Sequence, residues 1–346
     1  MGKNIVVFSD GTGQKGGVRY NTNVYKLFNM IEDRTPDQIA FYDPGLGTNW
    51  QKISGNLFGH GFSKNILDCY KFIFENFESD DSIYLFGFSR GAATVRSLSG
   101  FIHLFGILPQ SRPDLIKEAF KIYKIDDKER REKKAQEFIG RNHTMWCKIK
   151  FLGVFDTVAA LGIQNKTLAF LLEPFFPHKF HSFELSDSVT YARHAISIDE
   201  ERKTFLPILW NALKNDPEKD RLKQVWFCGV HTDVGGGYAE EELSNFSLRW
   251  MIKEATSKGL IIYEEAPAYI EFQKSVPTID GMMHNEQKGF IGRLFRRQRR
   301  SWNEKTHGAP TIHESVLKRT RNNENTDTPK YSSWILNFSD KHVEKE

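Results

Sequence analysis

The fold of this chain is decided by one stretch, S-I-Y-L-F-G-F-S-R-G-A-A-T-V-R-S-L at residues 82–98. Its apolar run at 83–86 predicts a short buried strand, and two alanines at 92 and 93 open a helical pattern. Between them lies Gly87-Phe88-Ser89-Arg90-Gly91, a G-x-S-x-G motif in the strand–turn–helix context that gives it meaning. The sharp turn needs glycine two residues before and after the serine. We therefore predict that Ser89 is a nucleophile; the alternative is an inert serine in a tight turn.

A nucleophilic serine needs a base, and the base needs a carboxylate that orients it. The apolar strand predicted at 149–156 ends in Asp156, and the one predicted at 225–231 ends in His231. Because the carboxyl ends of neighbouring parallel strands share one crevice, Ser89, Asp156 and His231 can converge there. Each has a simpler alternative. Asp156 could be only a helix N-cap, and His231 only a hydrogen-bonded loop residue.

Two other histidines compete for the role of base. His194 lies within Y-A-R-H-A-I-S-I-D and His313 within T-I-H-E-S-V-L-K. Neither follows an unambiguous buried strand, so we rank both below His231.

The first predicted strand, 5–8, is followed by S-D-G-T-G at 9–13. Aspartyl-phosphate phosphatases carry D-G-T too, but their nucleophilic Asp stands two residues earlier, where this chain has Phe8. The loop can instead supply backbone amides to an oxyanion hole, which in this fold also uses the amide after the serine. We predict an oxyanion hole formed by Arg90 with Gly11 and Thr12; plain turn chemistry at 11–12 is the alternative.

Strands alternate with helical stretches through the first 240 residues. This order predicts an α/β, α/β-hydrolase-like fold: a mainly parallel sheet with helices on both faces and cap insertions. We expect a catalytic core at 1–260, with insertions at about 105–145 and 164–190. Residues 261–346 should form an extension packed on the core.

These motifs together resemble a known family, the catalytic domain of the first family of type VI secretion lipase effectors. The same domain occurs widely in bacterial and fungal proteins of an α/β-hydrolase family whose members lack an assigned function. The matching pieces run in order over nearly the whole chain: F-S-D-G-T (8–12), N-T-N-V (21–24), Y-D-P-G-L-G-T (42–48), G-F-S-R-G-A (87–92), G-V-F-D-T-V (153–158), R-H-A-I-S-I-D-E (193–200), G-V-H-T-D-V-G-G-G-Y (229–238) and I-H-E-S-V (312–316).

The resemblance implies a Ser89–His231–Asp156 triad that hydrolyses carboxylic esters, with phospholipids as the characterised substrates. It also implies secretion machinery or an immunity protein as candidate partners. Effectors of this type commonly carry a further membrane-docking region after the catalytic domain. This chain has little room for one, which puts a toxin role in question more than the chemistry.

Composition is that of a soluble intracellular enzyme, with 39% hydrophobic and 27% charged residues. The three cysteines match no metal template and predict buried thiols in a reducing compartment. We see no signal peptide and no apolar run long enough to span a bilayer, so we expect a cytoplasmic location. Export by a secretion system that does not use a signal peptide is also compatible with the lack of such a peptide.

Two segments bear on the partners of the enzyme. The Phe-rich run 168–183 could form an apolar wall for a lipid or other apolar ester, or pack its own core. The segment 288–300, K-G-F-I-G-R-L-F-R-R-Q-R-R, has the composition of an interfacial helix on an anionic membrane; a solvated basic loop is the alternative. A net charge of +4 and no recognition motif argue against nucleic acid. The charged stretch 116–138 predicts a solvated helix.

The sequence therefore predicts a serine esterase or lipase, phospholipase-like, that needs no cofactor and no metal. The glycines at 235–237 precede no Lys-Ser/Thr pair, which excludes a P-loop. Asp233 with Asp10 or Asp156 could hold a divalent cation, but a hydrogen-bonded loop carboxylate is the preferred interpretation. Two alternatives stay open: an idle hydrolase scaffold that senses a ligand or binds a protein, and an amide or thioester hydrolase.

Overall fold

One eight-stranded sheet carries the fold, and all of its strand pairs are parallel. The computed structural model describes residues 2–11, 16–45, 55–158, 184–213, 216, 220–286, 296–322 and 331–345. The strands are β1 Asn4–Ser9, β2 Gln38–Asp43, β3 Ser82–Phe88, β4 Ile149–Phe155, β5 Val189–Ser197, β6 Leu222–Phe227, β7 Thr311–His313 and β8 His342–Glu344. Their spatial order is β2-β1-β3-β4-β5-β6-β7-β8.

Helices connect most of these strands. They are α1 Asn23–Phe28, α2 Gly55–Asn76, α3 Arg90–Phe105, α4 Leu115–Tyr123, α5 Lys128–Asn142, α6 His231–Gly235, α7 Ser244–Thr256, α8 Pro267–Lys274, α9 Glu304–His307 and α10 Glu314–Asn322. Parallel strands need such crossovers, because the chain must return to the starting edge of the sheet before each new strand.

The two faces of the sheet carry separate apolar cores, as the alternation of side chains along a strand requires. In β1, Ile5 and Val7 belong to one buried cluster, together with side chains of α2 and α3. Val6 and Phe8 belong to the other, together with side chains of α7. The strands are therefore buried on both sides, as parallel strands usually are. The predicted α/β-hydrolase-like fold is confirmed.

The charged stretch 116–138 differs from its prediction as one solvated helix. It forms two helices, α4 and α5, and α4 buries five side chains: Leu115, Ile116, Ala119, Phe120 and Tyr123. These positions repeat at helical spacing, so one face packs on α3, where the ring of Phe101 lies 5.8 Å from that of Phe120. The break has a local cause. Asp127 caps α5 by accepting the Arg130 amide at 2.7 Å.

Residues beyond 261 add to the sheet as well as packing on it. The short strands β7 and β8 extend it past β6. A third buried cluster joins Ile196 and Trp226 of the central strands to Trp302, Ile312 and Ile335. The C-terminal extension therefore holds one end of the sheet and lies beside the ends of β5 and β6.

Candidate active site

Ser89 sits at a strained turn between β3 and α3. Its φ of 58° and ψ of −120° lie in a region that non-glycine residues rarely adopt. A Cβ on Gly91 would lie 2.0 Å from the carbonyl oxygen of Ser9, and one on Gly87 would lie 2.6 Å from that of Gly91. The glycines are therefore required by close backbone approach, and the turn has the geometry expected of a nucleophile elbow.

Asp156 follows β4 directly and is completely buried. Its φ is 38°, a second strained position. Its backbone amide donates to the carbonyl of Ala195 at 2.7 Å, and its carboxylate accepts the amide of Ser197 at 3.0 Å. Both contacts fix the carboxylate against the neighbouring strand β5.

His231 is brought to Asp156 by the loop after β6 and the first turn of α6. Its Nδ1 lies 2.5 Å from Oδ2 of Asp156. The imidazole is held between two rings: Phe88, next to Ser89, at 4.6 Å and Phe205 at 5.0 Å between centroids. The strand ends at Phe227, four residues earlier than the sequence predicts.

The other nitrogen of His231, Nε2, is buried and has no hydrogen-bond partner among the described residues. Within that part of the chain, no hydrogen bond joins it to Ser89 Oγ either. Catalytic hydrogen bonds are often long without substrate and tighten when it binds. The imidazole thus has one nitrogen fixed by a carboxylate and one available.

Arg300 is a member of the site that sequence analysis placed elsewhere. The sequence places it in the basic segment 288–300, read as a membrane-surface helix or a solvated loop, and for this residue both interpretations are wrong: Arg300 is only 3% exposed. Its Nη1 lies 2.5 Å from Oδ1 of Asp156, and its Nη2 lies 2.8 Å from Oδ2. Burial alone would raise the pKa of Asp156, but the charge and hydrogen bonds of Arg300, with a smaller contribution from His231, hold that pKa well below its usual range.

The predicted oxyanion donors have different surroundings. Arg90 is the first residue of α3, so its amide belongs to the helix N-terminus, where developing negative charge is favoured. Gly11 donates its amide to Oδ1 of its neighbour Asp10 at 2.7 Å. Thr12 lies outside the described residues.

Residues 3–254 match the family of catalytic domains of Tle1-like phospholipase effectors of the type VI secretion system. The chain belongs to this family. The predicted resemblance is confirmed, and the Tle1-like domain includes β1 to β6, Ser89, Asp156 and His231 but not Arg300.

Individual relatives share less. An uncharacterised protein of Saccharomyces cerevisiae is 30% identical over 259 residues, which is 67% of this chain and 36% of that protein. The chain therefore spans about a third of the length of this curated relative.

Three solved structures resemble the chain more distantly. An uncharacterised Pseudomonas aeruginosa protein is 17% identical with a TM-score of 0.49 over 80% of this chain and 49% of that one. The Tle1 effector bound to the VgrG spike is 18% identical with a TM-score of 0.37, over 69% of this chain and 52% of that one. A butyrate-bound esterase of Thermogutta terrifontis is 10% identical with a TM-score of 0.38, over 75% of this chain and 85% of that one. The assignment of a hydrolase therefore draws on the family match and not on these likenesses.

The two rival histidines of the Tle1-like domain and its extension are packed into the interior. His194 lies in β5, where its Nε2 accepts the amide of Thr157 at 3.0 Å; burial and then the charge of Arg96 lower its pKa to about 3. His313 stacks on Phe227 at 4.7 Å, and burial lowers its pKa to about 4. Neither contacts Asp156 through a hydrogen bond in the described part of the chain.

Asp10 and Asp233, the candidate cation ligands, are both hydrogen-bonded carboxylates; Asp10 follows β1, and Asp233 lies in α6 and not in the loop that the sequence predicts. Asp10 accepts the hydroxyls of Thr22 at 2.6 Å and Tyr42 at 2.7 Å, and burial raises its pKa to about 6. Asp233 lies 2.6 Å from Nδ1 of His284. No group of three or more potential metal ligands occurs among the described residues.

Two sequence predictions concern segments that the structure leaves out. The whole Phe-rich run 168–183 and residues 288–295 of the basic segment lie outside the described residues. Arg297 and Arg299, which are described, have side chains exposed by 67% and 80%. Among the helices that the structure describes, none is both long and apolar enough to cross a bilayer.

Proposed function

We propose that this Tle1-like domain is a serine hydrolase that cleaves carboxylic esters, with phospholipids or similar lipid esters as substrates. One observation carries the proposal: a buried Asp156–His231 pair, joined at 2.5 Å, lies beside the strained turn of Ser89. Phe88 contacts the imidazole, so the residue next to the serine touches the base. These contacts support the proposal, because a serine hydroxyl is activated by a histidine that a buried carboxylate orients.

The tautomer follows from the contact. Ionised Asp156 can only accept a hydrogen bond, so Nδ1 of His231 must donate one. The proton of neutral His231 therefore resides on Nδ1, and Nε2 carries the lone pair that acts as base. Ser89 Oγ attacks the ester carbonyl and its proton passes to Nε2. His231 then returns that proton to the departing alcohol, leaving an acyl group on Ser89. Water, deprotonated by the same nitrogen, attacks the acyl carbonyl and releases the acid and the free serine.

Negative charge on the carbonyl oxygen needs donors in the tetrahedral intermediate. We assign the Arg90 amide at the N-terminus of α3 as one donor. Gly11 and Thr12 remain the candidates for the second, and the bond from the Gly11 amide to Asp10 would have to rearrange for Gly11 to serve. Each such donor contributes about 3–4 kcal/mol to transition-state stabilisation.

The identity of the substrate rests on the family. The family name gives phospholipase activity, which favours lipid esters over amides and thioesters. Secretion machinery is the partner class that the same name supports, and an immunity protein remains a candidate partner from the resemblance alone. An idle scaffold is the competing function, and it would leave the strained Ser89 turn without a purpose.

The test is a lipid panel with wild type and Ser89→Ala side by side, together with a fluorophosphonate probe. We expect labelling at Ser89 and lipid turnover in wild type, and neither in the variant. Loss of one triad member lowers kcat by about 10⁴–10⁶-fold. Labelling at another serine, or equal turnover by a folded Ser89→Ala protein, would refute the proposal.

A further inference from the structure

We propose that Arg300 is the positioning residue for the catalytic acid: it holds Asp156 ionised and aimed at His231, and so completes the active site from outside the family-matched region. The inference rests on the triad proposed above. Residues 3–254 match the Tle1-like domain, and Arg300 comes from the segment before α9.

The guanidinium is fixed by four hydrogen bonds in two directions. Two go to the carboxylate of Asp156, as a fork of the kind that Arg makes with carboxylates. Two more go from the same nitrogens to the carbonyl oxygens of Ser197, at 2.7 Å, and Phe205, at 2.6 Å. The backbone around β5 thus orients Arg300, and Arg300 in turn orients the carboxylate.

The carboxylate depends on this partner because the site is dry. The side chains of both Asp156 and Arg300 are 0% exposed. Without Arg300, Asp156 would keep His231 and Ser197 as its hydrogen-bond partners within the described part of the chain, and an ion buried without a counter-charge is strongly disfavoured. Loss of the Arg300 cation would therefore favour the protonated form of the Asp156–His231 pair, and a smaller fraction of His231 would be available as a free base at a given pH.

Other titratable groups near His231 are paired with a counter-charge or are neutral. Glu200 approaches the backbone amide of His231 at 3.4 Å, and it is bound by Arg202 through bonds of 2.9 and 2.7 Å. Glu286 binds Arg202 at 3.1 Å on its far side. His194 beyond Asp156 is neutral, because burial keeps its pKa near 3. A change in the titration of the pair on replacing Arg300 therefore reports on Arg300 itself.

The experiment compares Arg300→Met, Arg300→Lys and the matched control Arg299→Met, whose side chain is 80% exposed. Hydrolysis of a short soluble ester is followed from pH 5 to 9, and the imidazole signal of His231 is titrated by NMR in the full chain. In Arg300→Met we expect kcat/KM to fall by about 10²-fold. The acid limb of the pH–rate profile and the midpoint of the His231 imidazole titration should both move upward by about one pH unit.

Arg300→Lys separates charge from geometry. It keeps the cation but loses the fork, so its acid limb should stay near that of wild type while kcat falls. This variant also serves if Arg300→Met does not fold. Arg299→Met should match wild type in both readouts.

The NMR titration does not depend on activity, so the two proposals fail separately. If Ser89→Ala is as active as wild type, the proposed function is wrong, and the shift in the titration of His231 still tests the pairing with Arg300. A folded Arg300→Met protein with the wild-type titration and wild-type kcat would overturn the inference. So would an Arg300→Lys protein with wild-type kcat and acid limb.

Discussion

The backbone amide of Ser89 donates to the carbonyl of Phe155 at 3.0 Å, one residue before Asp156. The turn that holds the serine is thereby attached to the strand that holds the acid. Two strained residues, Ser89 and Asp156, flank this bond. The relative position of Ser89 and Asp156 is therefore set by backbone contacts and not by flexible side chains.

The glycines of the Ser89 turn leave no room for an added side chain, because backbone atoms lie close to each of them. We expect Gly91→Ala to destabilise the fold by roughly 1–3 kcal/mol, since its Cβ would lie 2.0 Å from the oxygen of Ser9 and 2.5 Å from that of Asp10. Activity should fall by at least about 10²-fold as the turn shifts. Gly140→Ala in α5 is the control: nothing lies within 4 Å of its Cβ, so it should gain up to about 1 kcal/mol. Urea unfolding and ester kinetics measure both, and equal behaviour of the two variants would contradict the prediction.

The second prediction concerns the choice of base. His231→Ala should be nearly as inactive as Ser89→Ala, and the double variant no worse, because the members of a triad act as a unit. His313→Ala should keep measurable activity per folded molecule, since its ring lies against Phe227 and not beside Asp156. Initial rates normalised to folded protein decide the matter. An inactive His313→Ala with an active His231→Ala would reverse the assignment.

The third prediction separates membrane docking from catalysis within one segment. Arg296, Arg297 and Arg299 are exposed, whereas Arg300 is buried on Asp156. Replacing the first three by Gln should weaken co-sedimentation with anionic vesicles. The difference between the variant and wild type should be largest at low salt, where charges are screened least. Hydrolysis of a short soluble ester should not change. Undiminished vesicle binding by the triple variant would leave the described part of this segment as a solvated loop.

The fourth prediction uses the raised pKa of Asp10, which burial moves from 3.8 to about 6. Between these values the native state holds a proton that the unfolded chain has lost, so Asp10 lowers stability as pH rises through this window. Asp10→Asn lacks that dependence. Relative to wild type, its free energy of unfolding should therefore increase from pH 4 to pH 7 by up to about 3 kcal/mol.

Urea unfolding at both pH values measures the effect of Asp10→Asn. Asp80→Asn, which makes the same replacement at an exposed carboxylate, is the control. A difference between Asp10→Asn and wild type that is flat with pH would contradict the raised pKa.

The parts of the candidate site that the sequence predicts well are those carried by short motifs next to a predicted strand. The Ser89 motif, the strand before Asp156 and the G-V-H segment at His231 each state their position relative to a strand end. Asp127 also carried a usable signal, an N-cap followed by a helical pattern, which would have divided the stretch 116–138 into two helices.

The remaining contacts depend on residues far apart in the chain. Arg300 stands in a run of cations, and nothing in such a run distinguishes the one that is buried on a carboxylate 144 positions away. The hydrogen bond from the Gly11 amide to the Asp10 carboxylate joins neighbouring residues, but it occupies the amide that an oxyanion hole would use. Only the conformation of the loop reveals this competition. Strands β7 and β8 are three residues long each, too short for alternation to predict.

The order of Asp156, His231 and Arg300 along the chain has a consequence for synthesis. A ribosome makes the three residues of the proposed triad first, and the stretch from 231 to 300 takes on the order of 3–14 s more. During that interval the nascent chain holds Asp156 without the cation that is its partner in the folded protein. Under the proposed function, full activity would therefore arise only late in translation, when the C-terminal extension docks on the sheet.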